Sequence, residues 1–420
     1  MRYIIRFGGI VIVLLILLSA QNPTTVAIQN QIGLSCATLN TGDMSIVPLD
    51  ALVESDPLVI DGNDDLASQG FPGAGTEEEP YIIEYLHINL NETPADSAIQ
   101  IQNTTHHFEI HHCVFEGEID TDSTEHEFYR GAGIFLDRVA NARIHNNSFI
   151  LTGIAVDIFG CENLTIESNY LPGVISEFAS VGGILMGESG VMLGNGTVIY
   201  RNNRNVEVRN NRIENCAGGI SCRWGENFDI SGNVVVNGSG IKLHNINQSV
   251  IMRNVVEHGG WGVFLYNVRL SLVTENNLTH CSLAGIYMLD GFNCIIHQNI
   301  CADNGEGLER GSEGGITLSG ASHVNVTWNE LTDNIRNALD TGEDNIFQYN
   351  YWSDYNGTDT NGDEIGDVPY EIPGTAENTD PFPRGPFTTS EPDLSLFILV
   401  GIGAIGVVVI VVVVSIIKKR

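Results

Sequence analysis

The sequence predicts a right-handed parallel β-helix, and three observations support this fold class. A repeat of about 21 to 23 residues runs from Ser97 to Tyr355. The copies open on a glycine followed by an apolar residue, and an asparagine recurs near their middle. The stretches after the opening glycines alternate apolar and polar residues at period two, which is typical of half-buried strands and excludes helical repeats.

The openings and the asparagines recur in chain order. Eight strands are predicted to open at Gly133-Ile134, Gly153-Ile154, Gly183-Ile184, Gly219-Ile220, Gly240-Ile241, Gly262-Val263, Gly285-Ile286 and Gly315-Ile316. Cys113 takes the asparagine position in the first copy, and the later copies have Asn147, Asn169, Asn211, Asn233, Asn254, Asn276, Asn299, Asn329 and Asn350. Coils of constant length would place each asparagine above the next, so that the side-chain amides hydrogen-bond along the stack.

The spacing changes at two places. The step from Asn169 to Asn211 is about twice the repeat, so residues 187–205 are predicted to form either an extra coil or an inserted loop. A second loop is predicted from Asp303 to Gly314. About ten coils, each about 4.8 Å thick, predict a rod about 50 Å long.

Apolar segments lie at both ends of the chain. Residues 7–18 follow two arginines and are typical of a secretory signal or an N-terminal anchor. Residues 394–417 lack charge, are long enough to cross a bilayer as a helix, and precede a basic cluster. The predicted organisation is signal or anchor (1–20), linker (21–55), N-terminal cap (56–96), β-helix (97–355), C-terminal cap with an acidic loop (356–373), Pro/Thr-rich stalk (374–393), transmembrane helix (394–417) and cytoplasmic tail (418–420). We therefore expect a single-pass membrane protein whose β-helix is extracellular.

Composition excludes some partners. The net charge is −33, and Lys242 is the one lysine between the N-terminal segment and the final basic cluster, so nucleic acid is not expected to bind. The eight cysteines show no metal-ligand spacing and are predicted to be mostly small core residues. Ten Asn-x-Ser/Thr sequons predict a glycosylated surface, at Asn91, Asn103, Asn146, Asn163, Asn195, Asn237, Asn247, Asn277, Asn325 and Asn356.

The repeat and its C-terminal end resemble a known family. The segment NYWSDYNGTDTNGDEIGDVPYEI at 350–372, together with the repeat, resembles the NosD-like proteins, and PYIIE at 80–84 resembles archaeal surface proteins of similar layout. The resemblance covers about 80% of the chain. It implies a carbohydrate-binding or sugar-hydrolase type of β-helix outside the cytoplasm, and an association with copper.

An acidic loop near the end of the repeat is a candidate calcium site. It offers oxygen ligands at alternate positions, as a hard cation requires. The predicted ligands are Asp359, Asn361, Asp363, the Ile365 carbonyl and Asp367. A glutamate replaces the glycine of an EF-hand loop and a tyrosine stands where that loop has its bidentate glutamate, so a plain solvated turn is the alternative.

The exposed positions of the opening strands form a candidate carbohydrate face. If the first and third residues of each strand point inward, aromatic and basic side chains line the outside on successive coils, about 5 Å apart. Rings that pack on sugars and charges that bind hydroxyls or uronates suit a polysaccharide. The predicted binding residues are Lys242, His244, Phe264, Tyr266 and Tyr287.

Catalysis on this face is an alternative. Asp137 and Asp157 are candidate carboxylates for hydrolysis of a glycosidic bond. Arg223, Lys242 or His244 are candidates for removing a proton beside a uronate, as in a lyase or an epimerase.

A histidine-rich strand is a candidate metal site. In His106-His107-Phe-Glu-Ile-His111-His112, the side chains of His107, Glu109 and His111 are predicted to share one face and could hold copper or zinc. Solvated histidines are the alternative, because no Met-rich or His-rich run accompanies them.

These observations lead to one main hypothesis and three rivals. We expect an anchored surface β-helix that recognises extracellular polysaccharide or glycoprotein through its exposed strand face. The rivals are a polysaccharide lyase, hydrolase or epimerase, a copper-handling protein of the NosD-like kind, and a passive surface-layer rod whose glycans make the contacts. Lateral association with like rods remains open.

Overall fold

The computed structural model describes residues 51–387, except 94, 118–131, 151, 153, 174–181, 193–197, 217 and 307–313. It also describes the backbone of four short strands near the two termini. Each coil of this body carries three strands, and every strand pairs in parallel with its equivalents on the coils above and below. The protein is therefore a parallel β-helix, as predicted.

The first strand of each coil carries the predicted opening residues. These strands are Leu58–Asp61, Ser97–Gln102, Ala132–Asp137, Ile154–Phe159, Gly182–Gly187, Ile220–Ser231, Ile241–Asn247, Trp261–Tyr266, Ala284–Leu289, Ile316–Ser319 and Ala338–Asp340. The second strands are Tyr81–Glu84, Phe108–His111, Ala140–His145, Glu162–Glu167, Asn203–Arg209, the end of Ile220–Ser231, Val250–Met252, Leu272–Thr274, Ile295–His297, Asn325–Thr327 and Ile346–Gln348.

The third strands form a separate sheet of 12 strands. They are Val53–Glu54, Leu86–Asn89, Val114–Glu116, Ser148–Ile150, Tyr170–Pro172, Arg212–Glu214, Val234–Val236, Val255–Glu257, Asn277–Thr279, Ile300–Ala302, Glu330–Thr332 and Tyr351–Trp352. The first two precede Ser97, so the residues predicted as a cap also form coils. The short helix Asn63–Ser68 packs there and buries Leu66.

The asparagine ladder determines the register of the coils. The Asn254 amide Nδ2 donates to Ile230 O at 2.8 Å and to Asn276 Oδ1 at 2.9 Å, while its backbone N–H donates to the same Oδ1 at 3.0 Å. The Cys113 backbone N–H donates to Asn147 Oδ1 at 3.0 Å, as expected for the first position of the stack. Each amide thus satisfies buried backbone groups at a turn where no strand can. The seven cysteines in the described part of the chain are buried and unpaired.

The ladder ends on a buried carboxylate. Asp380 Oδ2 accepts from the Asn350 backbone N–H at 2.9 Å, from Asn350 Nδ2 at 3.0 Å and from Trp352 Nε1 at 3.2 Å. Strand Thr379–Asp380 pairs antiparallel with Tyr370–Glu371. The predicted stalk therefore starts too early at residue 374, because this segment packs on the last coil.

The predicted insertion at residues 187–205 is a hairpin. Strands Ser189–Met192 and Val198–Arg201 pair antiparallel, while Glu162–Glu167 pairs directly with Asn203–Arg209. The first of the two alternatives, an extra coil, is therefore wrong.

The four terminal strands belong to a unit separate from the β-helix. Strand Leu396–Gly403 pairs antiparallel with Gly406–Val413 where a helix was predicted, and Ile4–Phe7 pairs likewise with Ile10–Val13. Valine, isoleucine and glycine, which dominate this segment, have low helix propensity, and the β-branched residues among them favour strands. None of the helices in the described residues is long and apolar enough to span a membrane. Most of the predicted linker and the basic tail lie outside the described residues, as do the other parts of 14–50, 388–395 and 414–420.

Candidate functional site

The outer side of the first strands carries a set of cationic and aromatic side chains that we call the basic-aromatic face: Arg223, Lys242, His244, Trp261, Phe264, Tyr266 and Tyr287. Strand register places Arg223, His244 and Tyr266 in one row, and Lys242, Phe264 and Tyr287 in the next. The structure thus brings the predicted carbohydrate-binding residues together on one surface.

The rings of this face contact one another. Phe264 and Tyr287 stack, with ring centroids 5.6 Å apart and an angle of 5° between the ring planes, so each ring covers one face of the other. His244 lies 5.3 Å from Phe264 and 5.9 Å from Tyr266. The face therefore offers ring edges and hydroxyl groups beside its cations, with fewer open ring faces than the sequence predicted.

Sequence reasoning did not find Trp261. The Lys242 Nζ lies 5.2 Å from the centroid of its ring, within cation–π distance. Strict alternation would point Trp261 inward, like Val263, but Trp261 opens its strand at a corner of the coil and is half-buried. The sequence did contain a signal for Trp261, because the equivalent position of the next coil is Ala284 and a bulky ring there is unusual for the core.

The cations of this face have no acidic partners. Within the described residues, no carboxylate forms an ion pair with Arg223, Lys242 or His244, whereas Arg204, Arg209 and Arg253 do have such partners. Burial lowers the pKa of Lys242, and the neighbouring Arg223 lowers it further. Burial, Arg223 and Lys242 likewise lower the pKa of His244. In a chain of net charge −33, Arg223 and Lys242 therefore form an unneutralised positive pair, beside a histidine whose protonation they disfavour.

The two candidate catalytic carboxylates lie away from these cations. Asp157 is in register with Phe135 and Leu185, and Asp137 is in register with Phe159, so the two acids are diagonal neighbours. Asp137 forms an ion pair with Arg138 at 2.9 Å. Asp157 lies in the same row as Lys242 but three coils away, about 14 Å along the stack. The predicted catalytic candidates therefore belong to two separate places.

Burial among apolar neighbours raises the pKa of Asp157 to about 7 from 3.8. Because the folded pKa is the higher one, the unfolded chain loses this proton first, and the group destabilises the fold increasingly as pH rises from about 4 to about 7. We expect Asp157→Asn to raise the free energy of unfolding by about 2 kcal/mol at pH 8 and to leave it unchanged at pH 4. Thermal melts of both proteins at the two pH values test this. Asp344→Asn, at an exposed acid, is the control, and an equal effect of Asp157→Asn at both pH values would contradict the assignment.

Three side chains on the second strands form a candidate metal site. Ligand atoms of Glu109, His111 and His145 all lie within 4.8 Å of one another. His145 Nε2 is 3.0 Å from Glu109 Oε2, and the rings of His111 and His145 stack at 4.8 Å. His107 does not belong to this group, so the predicted set is wrong at that position.

His145 enters the site from the next coil. It is in register with His111, because Cys113 and Asn147 occupy equivalent positions of the ladder. The repeat spacing could therefore have predicted that His111 and His145 are neighbours, since His111 lies two residues before Cys113 and His145 two residues before Asn147. His107, by contrast, precedes the strand Phe108–His111 and is four residues, about 13 Å of extended chain, from His111.

The imidazoles of this site are suited to bind a metal. Burial lowers the pKa of His111, and His145 and His112 lower it further. Burial also lowers the pKa of His145, while the hydrogen bond that His145 donates to Glu109 raises it. Both rings are therefore neutral at pH 7, as metal ligands must be. The Cys113 thiol does not belong to this group, since it is buried in the core, where burial raises its pKa to about 12.

The acidic loop does not support the calcium prediction. Asp359 accepts from the backbone N–H groups of Gly362, at 2.7 Å, and Glu364, at 2.9 Å. Asp367 accepts from the Thr358 hydroxyl at 2.8 Å and from the Thr360 N–H at 3.1 Å. Asn361 and Asp363 bond one another, and the Ile365 N–H donates to Asp363. The side-chain oxygen atoms predicted as ligands thus stabilise the turn itself.

The sequon asparagines are mostly on the surface. Asn91, Asn103, Asn163, Asn237, Asn247, Asn325 and Asn356 are exposed, Asn146 and Asn277 are half-buried, and Asn195 lies outside the described residues. The Nδ2 groups of several donate to neighbouring coils, for example Asn163 to Asn141 Oδ1 at 3.1 Å.

A solenoid of parallel strands whose polar chemistry lies on its outer faces defines the class of parallel β-helix proteins. Residues 176–388 match the family described as periplasmic copper-binding protein (NosD), and the chain belongs to this family. The matched range includes the cations of the basic-aromatic face and excludes the group of Glu109, His111 and His145. None of the curated proteins compared with the chain matches it.

Several solved structures are similar to the chain at low identity. DFA-IIIase from Arthrobacter chlorophenolicus A6 in complex with GF2 is 13% identical, with a TM-score of 0.46 over 67% of this chain and 81% of the other. A mannuronic acid specific polysaccharide family 6 lyase from human gut microbiota is 11% identical, with a TM-score of 0.44 over 71% and 78%. PfbA, a surface adhesin of Streptococcus pneumoniae, is 11% identical, with a TM-score of 0.41 over 79% and 89%. Similarity of this degree assigns no activity to the chain.

Proposed function

We propose that this protein binds an acidic polysaccharide on the basic-aromatic face. The observation that carries the proposal is the cluster of Arg223, Lys242 and His244, which has no carboxylate partner in the described part of a chain of net charge −33. Like charges held together raise the free energy of the folded protein, so such a cluster is expected where a ligand supplies the opposite charge.

The arrangement suits a polymer better than a small anion. Arg223, Lys242 and His244 lie on two adjacent coils, and the aromatic side chains continue the surface over the next two coils, to Tyr287. Carboxylates would bind the guanidinium and the ammonium through charge-assisted hydrogen bonds, while sugar C–H groups pack against ring edges and Tyr266. Bound carboxylates would also restore the charged form of His244.

Two polymers that differ only in charge test the proposal. We expect the purified full-length protein to bind polygalacturonate, and to bind carboxyl-reduced polygalacturonate at least about 10-fold more weakly, because the reduced polymer lacks the carboxylates. The affinity for the acidic polymer should fall as salt rises. Biolayer interferometry measures both. Equal affinity for the two polymers, or binding of neither, would contradict the proposal.

Metal binding at Glu109, His111 and His145 is a second candidate function. The observation that favours it is the convergence of two neutral imidazoles and one carboxylate, on a chain whose family is described as copper-binding. Imidazole and carboxylate ligands fit Cu²⁺ or Zn²⁺, and the absence of a thiolate or thioether from the group disfavours Cu⁺. The three residues would hold the ion on the outer surface of a rigid sheet.

We expect the full-length protein to bind one equivalent of Cu²⁺ in this place. Glu109→Gln and His145→Ala should each lower the affinity by at least about 10-fold, since each removes a ligand. His107→Ala is the matched control, because it removes a histidine of the same segment that lies outside the group. Isothermal titration calorimetry and electron paramagnetic resonance report affinity and nitrogen ligation. A loss with His107→Ala equal to that with His145→Ala would contradict the assignment.

We also propose that the β-helix lies outside the cytoplasm, anchored by residues 394–417. The apolar segments at both ends, the exposed sequons and the description of the family as periplasmic support this location. Within a lipid bilayer, a lone hairpin would leave edge groups unpaired, whereas a helix satisfies its own backbone, so a helix is the form we propose there. Protease added to intact cells should digest the β-helix, and full protection would contradict the proposal.

A further inference from the structure

A cleft opens at the coil corner that follows the basic-aromatic face. It has a volume of about 390 Å³, in the range of small-molecule sites. The lining residues that matter are Arg204, Trp224, Glu226, Asn245 and Arg269. Trp224 directly follows Arg223 on the strand Ile220–Ser231, so the cleft continues the face around the corner.

Trp224 is an unexpected residue for its position. Its φ angle is +57°, and the same corner has Asn245 and Asn267 on the next two coils. Coils farther away have Arg138, Gly160, Asp290 and Gly320 there in the same left-handed conformation, which asparagine, aspartate and glycine favour. The indole is also 42% exposed, although it is the kind of side chain that burial favours. Neither conformation nor burial requires a tryptophan at this corner, and its exposed ring can form an aromatic wall for a ligand.

The polar groups of the cleft are suited to an anion. The Nε of Arg204 forms an ion pair with Glu226 Oε1 at 3.1 Å, which leaves its terminal nitrogens for other acceptors. Arg269 is exposed and has no carboxylate partner in the residues that the structure describes. It is in register with Asn247, and Asn267 donates to Asn245 Oδ1 at 2.7 Å, so amide groups lie beside both arginines. Two guanidinium groups and one carboxylate thus line the cleft.

We propose that this cleft is a second binding site for an acidic sugar chain, which packs against Trp224 and places an acid group on Arg269. The inference rests on the proposed function, because it extends the same ligand around the coil corner. Trp224 and Asn267 are two coils, about 10 Å, apart along the rod, so the site would hold a short segment of the chain and not one small anion.

Conservative variants of the cleft test this inference. Trp224→Asn introduces the residue that adjacent coils have at this corner, and Arg269→Gln removes the unpaired charge. We expect each to weaken binding of polygalacturonate to the full-length protein by about 10-fold. Trp328→Asn, at another exposed tryptophan of positive φ, and Arg253→Gln are the matched controls, and should bind as the unaltered protein does.

The outcomes separate this inference from the proposed function. If the unaltered protein binds polygalacturonate and both cleft variants bind as their controls do, the cleft inference is wrong and the proposed function stands. If the unaltered protein does not bind, both fail. Asn247 lines the cleft and heads a sequon, so a glycan of the chain itself is the rival occupant. Glycopeptide mass spectrometry that finds Asn247 occupied in the native protein would overturn the inference.

Discussion

Replacing Asp380 by alanine is expected to lower the free energy of unfolding by about 4 kcal/mol, the largest stability effect that we predict for a single substitution. Asp380 is fully buried and its carboxylate accepts from Asn350, Trp352 and the Tyr349 backbone N–H. Alanine would leave these donors without partners at the end of the ladder. Thermal melts of the full-length protein, with hydrogen exchange of residues 349–352, measure the effect.

Two other variants complete this test. Asp380→Asn retains one acceptor and continues the asparagine ladder, so its stability should lie between those of the unaltered protein and Asp380→Ala. Asp344→Asn removes an exposed charge on a nearby coil, at a left-handed position that asparagine tolerates, and should change stability by less than about 0.5 kcal/mol. If Asp380→Ala melts at the same temperature as Asp344→Asn, Asp380 does not terminate the ladder.

The double variant Arg223→Gln/Lys242→Gln is expected to weaken binding of polygalacturonate by about 100-fold. Both side chains lose a charge-assisted hydrogen bond to the polymer, and His244 loses the neighbours that lower its pKa. The folded protein should gain slight stability, because two like charges that repel one another are removed. Affinity measurements and thermal melts of the same samples therefore should change in opposite directions.

A matched double variant controls for net charge. Arg212→Gln/Arg253→Gln removes two positive charges that are paired with Glu214 and Glu275 on other sides of the coil. General attraction between the polymer and the protein would make the two double variants equally weak. If binding is local to the basic-aromatic face, the affinity of the control variant should stay within about 3-fold of that of the unaltered protein. The two exposed ion pairs that it loses contribute little to the stability of the fold.

The fold was predictable because the ladder repeats chemistry at a constant spacing. Once Asn233, Asn254 and Asn276 are known to stack, every other residue of their coils has a defined neighbour above and below. Asp380 was not predictable in this way, because its surroundings are rich in proline, threonine and acids, as in a linker. Its role depends on a tertiary contact that composition does not encode.

The candidate sites were predictable in part, for the same reason. Lys242, His244 and Tyr266 followed from alternation along strands, which the structure preserves. His145 and Arg269 are distant in sequence from the residues that they accompany, and only comparison across coils relates them. Trp224 lies at a turn, where alternation makes no prediction. Hydropathy indicated an apolar segment at 394–417, but hydropathy alone does not determine whether such residues form a helix or strands.

The most direct test of the central claim is a crystal structure of the full-length protein with a polygalacturonate oligosaccharide. We predict density for the sugar along the outer side of the first strands, with carboxylates within hydrogen-bond distance of Arg223 and Lys242. Sugar bound elsewhere on the rod, with these two side chains in contact with solvent alone, would contradict the account.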